Sequence, residues 1–337
     1  MADQASTGSN FRRLLFVSGS EMAGTQPPHR AGGTEPIPLR HPPAPRNGRG
    51  GSRPGMWTLG TLVLICGLAL AAVTLAPGTQ LVTPAGVETS LGSGADGQVD
   101  LGTAVDYAAG RGTVAMAVLD RRTGIYLDSG DTAQKVMGSA SVIKVLLAEE
   151  LLYQASRGQI ALGPSEFAGI EAMLIYSDDS AASSLYSEFG GVSLIQAGLD
   201  RLGMTESGPP ENPRFWGNTM ITARDVVRLY DDMLNGSLPV DDRDYMVNLL
   251  RQMAPIADDG FDQEFGLAAH DSSVAGVKQG WMCCMDGMRN VHSTAIVGPD
   301  NRYIVVILTQ YEEVLPYEYG QITATEVARL ILDQLPG

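Results

Sequence analysis

Apolar positions change their period along this chain, and the changes mark its elements. Leu101, Val105 and Ala108 fall on one face of a short helix, and Thr113 to Leu119 alternates well enough for a strand. Asp120-Arg121-Arg122-Thr123-Gly124 reads as a turn, with Ile125 to Leu127 returning as a hairpin partner. A helical stripe follows at Val142, Leu146, Leu147, Leu151 and Leu152, with Gly138 and Ser139 where that helix would begin. Helical patterns continue over 166–175, 178–188, 192–202 and 222–234, punctuated by Gly190-Gly191 and Pro209-Pro210. The period then returns to strands at Val274 to Met282, Val291 to Val297 and Tyr303 to Thr309, the last two joined by Gly298-Pro299-Asp300-Asn301. Glu318 to Leu335 closes as an amphipathic helix. Strands at both ends with helices between predict an α+β fold, in which N- and C-terminal strands form one antiparallel sheet packed with helices beside an all-helical lobe.

Upstream of this pattern the chain reads differently. Residues 57–76 carry no charge, and about twenty apolar residues suffice to cross a bilayer as a helix. A single transmembrane helix is the leading reading, with a buried core helix and a cleaved signal peptide beginning at Met56 as alternatives. Residues 1–56 are rich in Pro, Gly and Arg, which predicts a disordered basic tail. Residues 77–97, rich in Gly, Thr, Ser and Pro, predict a flexible linker to a folded domain at 98–337. Arginines before the apolar segment orient the tail to the cytoplasm and the domain outside the cell membrane. Ile65, ahead of Cys66, stands where lipid-attachment sites usually have a small residue.

Charge narrows the ligand classes. The net charge is −15; residues 1–56 hold seven arginines and three acids, so +4, which leaves −19 for the remainder. That balance argues against nucleic acid and anionic head groups and is neutral about a small-molecule substrate. Cys66 falls in the apolar segment and Cys283 and Cys284 are adjacent, so no disulfide framework is available. The adjacent pair is expected to be two small buried residues. With His270 and His292 the domain's two histidines, neither a metal site nor a cofactor is expected. No feature calls for an oligomer, and a monomer is expected.

Lysine is scarce: three of the 23 basic residues, namely Lys135, Lys144 and Lys278. An amine can act as a base, which a guanidinium in a protein cannot. Lys144 lies three residues after Ser141, and in a helix that spacing puts both side chains on one face. Ser177-Asp178-Asp179 stands at the mouth of a later helix, and Lys278-Gln279-Gly280-Trp281 at the start of a strand.

These three motifs, in this order on helix, loop and strand, resemble the active-site set of the serine β-lactamase and penicillin-binding superfamily, whose pattern is Ser-X-X-Lys, Ser-Asp-Asn and Lys-Thr-Gly. Met173 to Ala182 looks like the class A β-lactamase stretch around its second motif, and the resemblance covers about residues 100–336. It implies Ser141 as the acylated nucleophile, Lys144 as its proton acceptor, Ser177 as proton relay and Lys278 as anchor for a substrate carboxylate. Asp178 would hold its loop, and the N–H groups of Ser141 and Trp281 would form an oxyanion hole. Asp179, Gln279, Gly280 and Trp281 would line the substrate.

Three departures stand out. Asp179 replaces the usual Asn, Gln279 replaces Thr or Ser ahead of a bulky apolar edge at Trp281 to Cys284, and a glutamate stretch is missing. The Gln279 amide either bonds a substrate carboxylate or points elsewhere. Class A enzymes activate the deacylating water with a glutamate in Glu-X-X-Leu-Asn; Met204 to Asn218 lacks that stretch and offers Glu206 and Glu211, of which Glu211 is the candidate. The resemblance thus implies a membrane-anchored serine hydrolase opening β-lactams. A D,D-peptidase or transpeptidase acting on peptidoglycan stem peptides, and a catalytically silent cell-wall-binding domain, remain alternatives.

Overall fold

The computed structural model describes residues 99–270 and 274–335. The predicted tail, apolar span and linker lie outside the described residues. Among those described, no helix is long and apolar enough to cross a membrane.

The chain opens with α1 (Gly102–Ala108), then β1 (Thr113–Asp120) and β2 (Ile125–Asp128), and reaches the helical lobe through the two-residue β3 (Met137–Gly138). A 3₁₀ turn over Ala140–Val142 leads into α2 (Ile143–Ser156), followed by α3 (Pro164–Ile175), α4 (Asp179–Glu188) and α5 (Val192–Leu202). The short β4 (Met220–Ile221) pairs with β3, and α6 (Ala223–Asn235) and α7 (Val240–Arg251) complete the lobe. The chain then returns through β5 (Val274–Met285), β6 (Met288–Val297), β7 (Tyr303–Glu312) and α8 (Tyr317–Leu332). The main sheet is antiparallel in the order β2-β1-β7-β6-β5, so β5 is an edge.

Period-two alternation sends each strand's side chains to two separate cores. Ala115 and Ala117 of β1 and Ile304, Val306 and Leu308 of β7 join the core under the lobe. Their neighbours Val114, Met116 and Val118, with Val305 and Ile307, join the core under α1 and α8. Because both faces are covered, the central strands are apolar throughout rather than half polar.

Three expectations need correction. The helix α2 shows no polar face: every residue from Ile143 to Leu152 is buried, because the helix runs through the centre of the lobe. The helix α7 escapes the periodicity, since its first turn is Val240-Asp241-Asp242 and its buried Met246, Val247, Leu249 and Leu250 crowd the last turns. Strand β5 continues three residues past Met282 to a tight hairpin at Asp286-Gly287, both residues with positive φ. The register shifts between Met282 and Met285, and Cys283 and Cys284 are exposed there and joined to each other as a disulfide, not buried as expected.

Candidate active site

The candidate site forms where α2, the α3–α4 junction and the edge strand β5 meet. Ala140, with φ +47°, turns the chain sharply just before Ser141. Ser177 likewise has φ +55° between α3 and α4. A positive φ is costly outside glycine and asparagine and clusters at functional positions. Asp178 then caps α4, its Oδ1 accepting from the N–H groups of Ser180 and Ala181 at 2.7 and 3.0 Å.

Gly280 explains how β5 comes so near. A Cβ there would lie 3.1 Å from Val142 N and 3.2 Å from the Ser139 carbonyl. Glycine lets the edge strand press against the turn that carries Ser141. From the other side, the chain from α6 fixes Lys278: the Tyr230 hydroxyl meets Thr294 Oγ1 at 2.8 Å, and Thr294 donates to the Lys278 carbonyl at 2.8 Å. His292, opposite Gly280 in β6, lies 2.8 Å through Nε2 from the Gly138 carbonyl, and its Nδ1 accepts from Thr309 N–H at 3.2 Å. It thereby ties β3, just ahead of Ser141, to the sheet.

Two fully buried lysines flank two buried serines. Lys144 Nζ lies 2.9 Å from Ser141 Oγ and 3.3 Å from Ser177 Oγ, and donates at 2.6 Å to the Ser177 carbonyl and at 2.6 Å to Asp179 Oδ1. Lys278 Nζ donates to Ser177 Oγ at 2.9 Å and to the Gln279 carbonyl at 3.0 Å. Burial pushes the Lys144 amine below the ordinary lysine range, against the pull of Asp179 beside it. Lys278 is pushed well below that range by burial and then by the charge of Lys144. Ser141, Lys144, Ser177, Asp179 and Lys278, all singled out in the sequence, are thus brought together.

Gln279 is not part of this cluster. One residue along a strand from Lys278, it faces the opposite layer, and its amide donates to the carbonyls of Gln263 at 2.9 Å and Phe265 at 2.6 Å. Of the two readings of Gln279, the geometry selects a side chain turned away from substrate. Trp281 faces the same way, its ring stacked on Phe261 at 4.3 Å and its Nε1 donating to Asp259 Oδ2 at 3.0 Å. Only its main chain stays beside the turn that Gly280 contacts.

Glu211 also departs from expectation. It stands exposed in a turn and makes no hydrogen bond with the cluster, while Glu206 is held by Arg224 and Thr222. The loop instead presents Trp216, whose ring lies 5.0 Å from Lys144 Nζ and whose Nε1 donates to Ser183 Oγ at 3.0 Å. Trp216 is a site neighbour that the sequence pattern did not single out; its pairing with Phe215 in the loop is the one signal it offered. Cys283, Cys284 and Glu313 are close enough to share a metal ion, but the two sulfurs are bonded to each other and so are not free thiolates.

Comparison with known proteins bears on the fold. The model of the β-lactamase enzyme family matches residues 169–335, a span that takes in Ser177 and Lys278 and begins after Lys144. The protein "Putative lipoprotein LppW" of Mycobacterium tuberculosis is 39% identical over 209 residues, and its Mycobacterium bovis counterpart matches equally; the match covers 60% of this chain and 65% of each relative. The chain therefore spans a little under two thirds of the length of these relatives. Among solved structures, an ancestral class A β-lactamase superposes with a TM-score of 0.55 at 19% identity, over 69% of this chain and 99% of that one. A β-lactamase from Xanthomonas campestris gives 0.58 at 16% identity, over 69% and 97%. The chain has the α+β fold of these enzymes, and its residues 169–335 match the model of the β-lactamase enzyme family.

Proposed function

We propose that this domain is an active-site-serine hydrolase that opens β-lactams by forming an acyl-enzyme on Ser141. One observation carries the reading: the set of partners around Lys144 Nζ. Two of its partners, the Ser177 carbonyl and the Asp179 carboxylate, can only accept. A neutral amine has two N–H groups for those two acceptors, which leaves its lone pair toward Ser141 Oγ at 2.9 Å. In this reading Ser141 gives its proton to Lys144 as Oγ bonds the acyl carbon, with the N–H groups of Ser141 and Trp281 taking the oxyanion. As the carbon–nitrogen bond breaks, Ser177 protonates the departing nitrogen and is refilled from Lys144, 3.3 Å away. Lys278 holds the Ser177 hydroxyl in place for both transfers.

Turnover is a separate matter, and one observation favours a second reading. With Glu211 exposed and Trp216 against Lys144, no glutamate is poised to activate water at the acyl group among the described residues. That favours a long-lived acyl-enzyme, as in a D,D-peptidase acting on peptidoglycan stem peptides with β-lactams as slow ligands. The lipoprotein name of the mycobacterial relatives supports a membrane-attached, extracytoplasmic location for this domain, with residues 57–76 as the anchor in our reading.

The test follows a chromogenic cephalosporin and a fluorescent penicillin with the purified 337-residue chain. Repeated turnover supports the β-lactamase reading. One stable label per chain, with release of D-alanine from a D-Ala-D-Ala peptide, supports the peptidase. Absence of any reaction sinks both.

A further inference from the structure

We propose that the site selects acyl donors that are neutral or cationic at the end lying between β5 and the start of α4, and that Asp179 and Asp259 reject a carboxylate there. The inference rests on the reading of Ser141 as nucleophile. Four observations support it.

The first is that neither lysine of the cluster stands free for an anion. Lys144 is already paired with Asp179 at 2.6 Å. Lys278 is fully buried, has both Ser177 Oγ and the Gln279 carbonyl as partners, and is held well below the ordinary lysine range by burial and by Lys144. A carboxylate docking on it would have to compete with both of those partners in a buried site.

The second is the sign of the surroundings. Besides Lys144, the charges that act on Lys278 are Asp179 and Asp259, and no arginine is among them. The same two carboxylates act on Lys144, together with Asp178. The Asp179 side chain is 75% exposed, so its outer face meets whatever enters. Asp259 is carried toward β5 by the segment after α7. Ala254 N–H donates to the Ile175 carbonyl at 2.9 Å and Asp258 N–H to the Tyr176 carbonyl at 2.8 Å, which draws this segment across the α3–α4 junction toward β5. There Asp259 receives the Trp281 indole N–H.

The third is that the neutral donor on β5 nearest Lys278 is spent elsewhere. The Gln279 amide is fully buried and gives both its N–H bonds to the opposite layer. The fourth is aromatic exposure: Tyr176 is 51% exposed next to Ser177, and Phe215 is 55% exposed next to Trp216. Carboxylates beside exposed aromatic faces attract an ammonium group and repel an anion.

The experiment compares one chromogenic cephalosporin as its free acid, its methyl ester and its choline ester, using the full chain. A neutral fluorophosphonate probe, which reports on Ser141 whatever the charge preference, serves as the control. The expected order of acylation rate is choline ester, then methyl ester, then acid, with steps on the order of tenfold at low salt that shrink at high salt. Asp259→Asn and Asp179→Asn should each raise the rate with the acid more than the rate with the esters. A free acid that reacts as fast as its esters, or faster, overturns the charge selection while leaving the nucleophile intact. Failure of all three cephalosporins together with the fluorophosphonate overturns the reading of Ser141 on which the inference stands.

Discussion

At the scale of single residues, the site turns on how Lys144 divides its contacts. Asp179 accepts from it at 2.6 Å and so fixes the amine toward Ser141, but a carboxylate also favours the ammonium form that cannot take a proton. Asparagine would keep an accepting oxygen without the charge. Asp179→Asn should therefore speed acylation by a penicillin, by about tenfold; stopped-flow labelling that shows an equal or slower rate would count against this balance. Gly280 offers a second check. A methyl at that position meets Ser139 O and Val142 N at about 3 Å, so Gly280→Ala should push β5 off the nucleophile turn. The expected result is acylation slowed at least tenfold with a change in stability of about 1 kcal/mol, read from labelling rate and urea midpoint together. The motif serines and lysines were legible from spacing alone. The positive φ of Ala140 and Ser177, and Asp259 lying against Trp281, were not, because they arise from tertiary approach.

At the scale of elements, α2 is held by an imbalance of charge. Arg201 of α5 meets Glu149 Oε2, Glu150 Oε2 at 2.8 Å and Asp232 at 3.3 Å, so three acids share one guanidinium. Burial pushes the Glu149 carboxyl up to about 7, with Arg201 opposing. A raised carboxyl stabilises the fold fully below its unfolded value and loses that contribution as pH rises through the folded one. Glu149→Gln should then match the parent near pH 4 and exceed it near pH 8 by about 3 kcal/mol, measured by chemical unfolding at both pH values. Arg201→Met leaves those acids without their cation and should cost about 3–5 kcal/mol. The sequence pattern located α2 through its leucines yet predicted a stripe, since a buried glutamate pair reads as surface until its partner, 51 positions away, is known. Strand β5 shows the reverse case: Asp286-Gly287 is a hairpin signal in the sequence itself, while Cys283 and Cys284 interrupt the alternation ahead of it.

At the scale of the whole molecule, the first and last strands among the described residues build the sheet whose edge strand and first crossover meet at Ser141. The antiparallel order β2-β1-β7-β6-β5 follows from strand patterns at both ends with helices between, and that much was legible in the sequence. Which edge would face the lobe was not, because it depends on contacts such as His292 to Gly138. Burial holds the His292 imidazole down to about 4. A depressed histidine contributes stability above its unfolded value near 6.5, lost as pH falls through the folded one. Unfolding free energy should thus drop by about 3 kcal/mol from this group between pH 7 and 4. His292→Gln, compared at both ends of that window by urea unfolding, should show a flatter profile. An undiminished slope would assign the acid sensitivity elsewhere.

Whether Ser141 takes the acyl group is decided by intact-mass and peptide mass spectrometry of the chain after incubation with a β-lactam. The predicted result is one adduct of the mass of the opened ring, on the peptide containing Ser141, and none in Ser141→Ala. An adduct that survives Ser141→Ala, or that maps to another residue, would contradict it.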